Sequence, residues 1–287
     1  MCTNDHGEGC GLGRRDFLKA GAASVAGFGV LGAAGQGELD KQPPTRVLDD
    51  PRVEHGKIMF KHAGKETFDG YLARPKATGT FPGVLVIPGN LITEEYIPNT
   101  CAALALAGFV GLAPNIFHPL PTNWPVTRFE GRSEYIKDHN DYDILEDIQV
   151  AADYLKTLPY VRGQGFGMVG FCYGGWISLQ MAARSREVRA VVAYHPGIGT
   201  VPDPHLLNQV RAPVQLHQGT ADQSVDPKSA MKLRDIFKAH KVPVELFMYK
   251  GADHGFASYE RDTYRPDYAK LAWSRATKFL SKYLNEK

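Results

Sequence analysis

Gly167-Met168-Val169-Gly170-Phe171-Cys172-Tyr173-Gly174-Gly175 is the stretch from which the rest of the chain can be read. An apolar run of strand length, Phe166 to Gly170, leads into it, and a helical pattern from Tyr173 to Ser185 leads out. Between them, Gly170-Phe171-Cys172-Tyr173-Gly174 has the form G-x-C-x-G, a strand-to-helix turn with a nucleophile at its apex. So tight a turn needs residues without bulky side chains at its flanks. It holds the central residue in a strained conformation with its side chain thrust outward. A helix opening near Tyr173 places the positive end of its dipole beneath the sulfur and favours the thiolate that attacks. The alternative for any lone cysteine is a small buried hydrophobe. Cys101, inside Thr100-Cys101-Ala102-Ala103-Leu104 on a predicted helix, fits that description, whereas at Cys172 strand, turn and helix coincide.

Working outward, short apolar runs alternate with longer helical patterns, as in parallel strands joined by crossover helices. The strand candidates are Gly83–Ile87, Phe109–Ala113, Phe166–Gly170, Ala190–Tyr194, Val214–His217 and Val244–Tyr249, all apolar enough to be buried on both faces. Helical stretches fall at about Glu95 to Ala107, Tyr142 to Thr157, Tyr173 to Ser185, Pro227 to His240 and Pro266 to Leu284. Ahead of them, Val53 to His62 and Glu66 to Arg74 read as a hairpin across Ala63-Gly64-Lys65 at the sheet edge. With no repeat and no second composition regime, a single α/β domain over residues 52–287 is expected.

A nucleophile of this kind needs a base within hydrogen-bond reach and a third group to fix the base's tautomer. In strand–turn–helix nucleophile folds the order along the chain is nucleophile, acid, histidine. Here Cys172 is followed by Gly219-Thr220-Ala221-Asp222 after one strand and by Gly251-Ala252-Asp253-His254-Gly255-Phe256 after the next. Both positions lie at strand C-terminal ends, where ligand sites form in open parallel sheets. His195, directly after a strand, is a rival base or pocket residue. His118 is a further rival, and His217 reads as a structural histidine within a strand. Asp226, before Pro227, suits a helix N-cap, and Asp253, beside the base, should turn its carboxylate away.

At the other end of the chain, Gly13-Arg14-Arg15-Asp16-Phe17-Leu18-Lys19 precedes an Ala- and Gly-rich apolar segment, Ala20 to Gly35, that carries no carboxylate. This resembles a twin-arginine export signal: a positive start, an apolar segment too Gly-rich for a convincing spanning helix, and small residues Gly32, Ala33 and Ala34 for cleavage. Residues 1–34 are therefore read as a signal peptide, the export machinery as a partner and the periplasm as the destination. Residues 35–51 are read as a linker or loosely attached arm.

Composition adds limits. The 287 residues are 43% hydrophobic, and 33 basic against 31 acidic residues leave a net charge of +2, with no basic block to mark a nucleic-acid groove. Four scattered cysteines make no disulfide scaffold, so the core must hold the fold. Cys2, His6 and Cys10 are isolated ligand types in a Gly-rich start, and neither His-Glu-x-x-His nor a paired C-x-x-C occurs. No metal or cofactor is expected.

The Gly167–Gly175 turn, the Gly-Thr-x-Asp loop and the Gly-Ala-Asp-His-Gly-Phe loop together resemble the dienelactone hydrolase family, as does the closing Tyr268-Ala269-Lys270-Leu271-Ala272-Trp273. The likeness runs from about residue 53 to 285. It implies an α/β-hydrolase fold, with one mainly parallel eight-stranded sheet and helices on both faces. It also implies a Cys172-His254-Asp222 triad acting on carboxymethylenebutenolide-type lactones or related small esters. Backbone N–H groups of Tyr173 and of the loop near Asn90 should form the oxyanion hole. Many family members carry a Glu that contacts the cysteine where this chain has Gly89, with Glu94 and Glu95 the nearest carboxylates in its place. The family's substrate carries a carboxylate. Arg128, Arg132, Arg261 and Arg265 are candidates to grip it, with Trp124 as an apolar wall. Two other function classes compete with hydrolysis: a thiol redox sensor, which leaves Asp222 and His254 unexplained, and an idle hydrolase scaffold used for binding.

Overall fold

Val-, Ile-, Leu- and Ala-rich runs become strands here because such residues suit a pleated surface covered on both sides. The structure, a computed structural model, describes residues 45–61, 67–89, 95–117, 124, 141–197 and 207–285. The strands are β1 (Val53–Lys61), β2 (Thr67–Pro75), β3 (Phe81–Ile87), β4 (Val110–Pro114), β5 (Val161–Phe171), β6 (Val188–Tyr194), β7 (Val214–Gly219) and β8 (Val244–Tyr249). The helices that pack on them are α1 (Tyr96–Leu106), α2 (Asp141–Lys156), α3 (Tyr173–Arg184), α4 (Pro227–Ala239) and α5 (Pro266–Asn285).

The strands form one eight-stranded sheet in the order β1-β2-β4-β3-β5-β6-β7-β8. β1 runs antiparallel to β2 and β2 antiparallel to β4, while every pairing from β4 onward is parallel. The expected mainly parallel sheet is therefore present, with the antiparallel hairpin at its edge. Its expected turn, Ala63-Gly64-Lys65, lies outside the described residues.

Alternation along each strand sends side chains to two separate cores. Leu85, Ile87, Met168, Val191 and Ala193 pack with α2, α3 and α4, and Val84, Val86, Val169, Val192 and Tyr194 pack with α1 and α5. Helices thus cover both faces, and the parallel strand ends at Ile87, Phe171, Tyr194, Gly219 and Tyr249 share one edge.

Two sequence expectations change. β5 begins at Val161, five residues before the apolar run. Gly163, at φ 86°, and the register shift against β3 interrupt the pattern without ending the strand. Residues 45–51 are not loosely attached: Val47 and Leu48 are buried against the α1 side. The Val47 N–H donates to Asn99 Oδ1 (2.6 Å), and Asn99 Nδ2 donates to the Thr45 carbonyl (2.7 Å). Two apolar residues within a polar, Pro-rich segment are too few to register as a pattern, yet they suffice to dock it.

Candidate active site

The turn between β5 and α3 explains its own sequence. Cys172 has φ 52° and ψ −118°, a left-handed backbone that L side chains rarely adopt. A Cβ on Gly170 would collide with the Gly174 carbonyl, and one on Gly174 with the carbonyls of Ile87 and Pro88, so both flanks must be glycine. The Cys172 N–H donates to the Tyr194 carbonyl at 3.0 Å and ties the turn to the end of β6. Its own carbonyl accepts from the Trp176 N–H at 3.2 Å, which starts α3. Cys172 is partly exposed at this apex.

Asp222 stands in the turn after β7. Its Oδ1 accepts from the backbone N–H groups of Ser224 (2.9 Å) and Val225 (2.8 Å), and its Oδ2 accepts from Gln218 Nε2 (2.9 Å). His254, in the turn after β8, places Nδ1 3.1 and 3.0 Å from the two carboxylate oxygens and hydrogen-bonds to Cys172 on its other side. Both Asp222 and His254 are buried. Burial works against the Asp222 charge, but the hydrogen bonds from His254 and Val225 outweigh it and hold the carboxyl below its ordinary value. Burial likewise opposes a charged His254, yet the hydrogen bonds to Asp222 and Cys172 raise its pKa to about 9. The arrangement favours an imidazolium held between a carboxylate and a sulfur.

The two loops are laced together. Thr220 N–H donates to the Tyr249 carbonyl (2.9 Å), Ala221 N–H to the Ala252 carbonyl (3.0 Å) and Gly251 N–H to Thr220 Oγ1 (2.8 Å). Asp253 turns from the imidazole and accepts from the backbone N–H groups of Gln223 (3.0 Å) and His254 (2.6 Å). Asp226 caps α4, its side chain accepting from Lys228 N–H at 2.9 Å. His217 is structural: its ring nitrogens bond Tyr249 Oη (2.7 Å) and Gln215 Oε1 (2.8 Å), and burial with Arg275 nearby pushes its pKa down to about 3. Cys101 is fully buried in α1, which pushes its thiol well up.

His195 belongs to the site. It is buried, has φ 38°, and its ring centroid lies 4.1 Å from that of His254 at an interplanar angle of 52°. Burial, then the neighbouring His254, holds its pKa well below the ordinary histidine value, so it stands as a neutral imidazole beside a charged one.

The remaining candidates are distributed unevenly. Tyr173 is the first residue of α3, where helix N–H groups point outward. Asn90, Glu94, Arg128, Arg132 and His118 lie outside the described residues. Glu95 is committed to Arg46, Nε to Oε2 at 2.7 Å, instead of reaching the sulfur. Arg261 packs its side chain against the Gly255 backbone and raises the positive field at His195. Arg265 is exposed; it reaches the Gly251 carbonyl (3.4 Å) and lies over the Tyr268 ring (5.1 Å). Trp124 donates to Asp69 Oδ2 (3.0 Å) and packs on Tyr71, which fixes it to β2. Sequence reading missed Gln218, and also Glu260, whose carboxylate accepts from the Glu95 and Tyr96 N–H groups at 3.1 and 3.0 Å and caps α1. Only spatial proximity reveals either role.

The profile of the dienelactone hydrolase family matches residues 68–284. The chain belongs to that family. A relative from Bradyrhizobium sp. named "Probable 2-oxo-3-(5-oxofuran-2-ylidene)propanoate lactonase" is 32% identical over 222 residues, 75% of this chain and 89% of that protein. Among solved structures, a dienelactone hydrolase-like promiscuous phosphotriesterase from metagenomic libraries aligns with TM-score 0.70 at 21% identity, over 81% of this chain and 99% of that one. Est1E from Butyrivibrio proteoclasticus aligns with TM-score 0.60 at 17% identity, over 80% of this chain and 100% of that one. These two likenesses speak to the fold, which is of the α/β-hydrolase type. The Cys172 turn and the loops that carry Asp222 and His254 all lie inside the span matched to the dienelactone hydrolase family.

Proposed function

We propose that the protein hydrolyses small lactones or carboxylic esters with Cys172 as nucleophile, His254 as acid and base, and Asp222 as the group that orients and charges the histidine. The observation that carries this reading is His254 bridging the Asp222 carboxylate and the Cys172 sulfur at one sheet edge. The thiolate attacks the carbonyl carbon, and the oxyanion takes N–H groups from Tyr173 and from the loop at Asn90. The His254 imidazolium then protonates the departing alkoxide, which leaves a thioester on Cys172. Neutral His254 next takes a proton from water, the hydroxide attacks the thioester, and the acid is released with the thiolate restored. No cofactor takes part in these steps. The lactonase name of the Bradyrhizobium relative supports a lactone substrate. For a substrate carboxylate, Arg261 is the arginine beside the histidine loop, and Arg265, Arg128 and Arg132 are further partners.

A panel of lactones and activated aryl esters, run on wild type and variants, tests this. Cys172→Ala and His254→Ala should each lower kcat by several orders of magnitude, with the double variant little worse because the residues act as a unit. Asp222→Asn should cost less than either. A folded Cys172→Ala protein with wild-type turnover sinks the proposal and leaves the idle-scaffold reading standing. Turnover that vanishes with Cys172 also disposes of a sensor without catalysis.

We further propose that residues 1–34 are a twin-arginine signal and that the mature enzyme acts in the periplasm. The support is the Arg14-Arg15 pair ahead of the Ala- and Gly-rich segment, in a part of the chain outside the described residues. Changing both arginines to lysine should leave the protein in the cytoplasmic fraction. Export of that variant at wild-type level overturns the reading.

A further inference from the structure

We propose that Cys172, His195 and His254 form a Zn²⁺ site, and that the enzyme is silent while the metal is bound. One ligand atom from each of the three lies within 4.8 Å of the others, the sulfur partly exposed and both imidazoles buried. Zinc takes Cys sulfur at about 2.3 Å and His nitrogen at about 2.0–2.1 Å, so tetrahedral ligand atoms stand roughly 3.5 Å apart. Side-chain rotations of about 1 Å would close the present spacing.

Three features favour a metal over chance proximity. The donor set is one thiolate and two imidazoles, which suits zinc and gives the three-ligand pattern that leaves a fourth position open. Cys172, the partly exposed member of the three, is where a metal ion could enter from solvent. His254 offers only its outer nitrogen, because Nδ1 is held by Asp222 at 3.0 Å, the carboxylate–histidine arrangement that orients metal-ligating imidazoles. His195 is 4% exposed and its Nδ1 has no hydrogen-bond partner among the described residues. A buried polar atom of that kind calls for a ligand. The hydrolytic cycle proposed above assigns His195 no step.

On binding, the sulfur and the two imidazole lone pairs go to zinc, and the proton shared by Cys172 and His254 leaves to solvent. Nothing is oxidised or reduced, since zinc has no redox chemistry here. Nucleophile and base are then both occupied, and a chelator restores them.

The test uses the full chain with Cys2→Ser and Cys10→Ser, so that the N-terminal ligand types do not compete. Zn²⁺ affinity is measured against a chromophoric chelator, and Co²⁺ serves as the spectroscopic probe. One cobalt per chain with a thiolate-to-metal charge-transfer band is expected, and Cys172→Ala should lose that band. His195→Asn, chosen because Asn tolerates the left-handed backbone at this position, should weaken zinc binding by at least ~10-fold, and Asp222→Asn by ~10–100-fold. Esterase activity, where the wild type shows it, should fall with zinc occupancy and return with chelator. Unchanged zinc affinity in both folded variants, metal bound without the thiolate band, or no binding at all overturns the site. Because binding is read without turnover, failure of the hydrolase reading and failure of this one are separately visible.

Discussion

Cys172 combines a strained left-handed backbone with a favourable interaction with a charged His254, and the strain is held by the residues around it. Strain of this type costs on the order of 1–3 kcal/mol and persists only where surrounding structure enforces it; here the Tyr194 carbonyl and the glycine flanks do so. The His254 pKa is raised from 6.5 to about 9 in the fold, so the stabilisation from its charged form is complete below pH 6.5. That contribution declines as pH rises between the two values and is gone above about 9. An NMR titration of the His254 ring should therefore give a midpoint near 9, moved downward in Cys172→Ala because one of the two favouring partners is lost. On the proposed cycle, acylation should weaken over the same alkaline range, as the imidazolium assigned to protonate the leaving group disappears. A midpoint at or below 6.5 in the wild type contradicts the ion-pair description.

The elements matter chiefly through how closely their ends approach. Parallel β3, β5, β6, β7 and β8 end together, and α3 comes so near β3 that Gly174 lies against the carbonyls of Ile87 and Pro88. Backbone cannot withdraw as a flexible side-chain tip can, so a methyl group at that position must push the helix from the sheet. Gly174→Ala is expected to lower stability by about 3 kcal/mol or more, the upper range for overpacked cores. Urea unfolding measures it, and a change within ~0.5 kcal/mol, the range of ordinary surface substitutions, shows the contact to be relieved cheaply. The loops that carry Asp222 and His254 gain their fixed separation differently, through backbone bonds from Thr220 and Ala221 to Tyr249 and Ala252 and through the side chains of Thr220 and Asp253. Asp253 thus braces the loop that carries His254 against the loop that carries Asp222, its carboxylate turned from the imidazole as its place in the chain led us to expect.

At the scale of the whole molecule, residues 45–52, just ahead of β1, are part of the folded body. Val47 and Leu48 close the core over α1, and Asn99, fully buried, has both ends of its amide satisfied by the backbone of Val47 and Thr45. A chain starting at residue 52 would bare that apolar surface and leave the Asn99 amide without either partner. Compared with a chain starting at residue 45, it should be less stable by on the order of 3 kcal/mol, from two apolar side chains and a pair of buried hydrogen bonds. Equal denaturation midpoints for the two chains show the docking to be marginal.

The parallel strands, the helices between them and the placing of Cys172, Asp222 and His254 at strand ends were legible in the amino-acid sequence, because each rests on short-range rules. Period-two and period-3.6 patterns mark strands and helices, the glycines at 170 and 174 mark a turn no other residue fits, and strand ends mark where Asp222 and His254 must emerge. Tertiary structure decided what depends on distance between remote segments. Glu260 caps a helix 164 residues earlier in the chain, and Glu95 turns to Arg46 instead of the sulfur. The His195 ring centroid comes to 4.1 Å from that of His254, making with Cys172 a cluster of three side chains with ligand-type atoms that no spacing along the chain encodes. Local patterns fix backbone geometry within a few residues, whereas these contacts exist only once the sheet has brought its strand ends to a common edge.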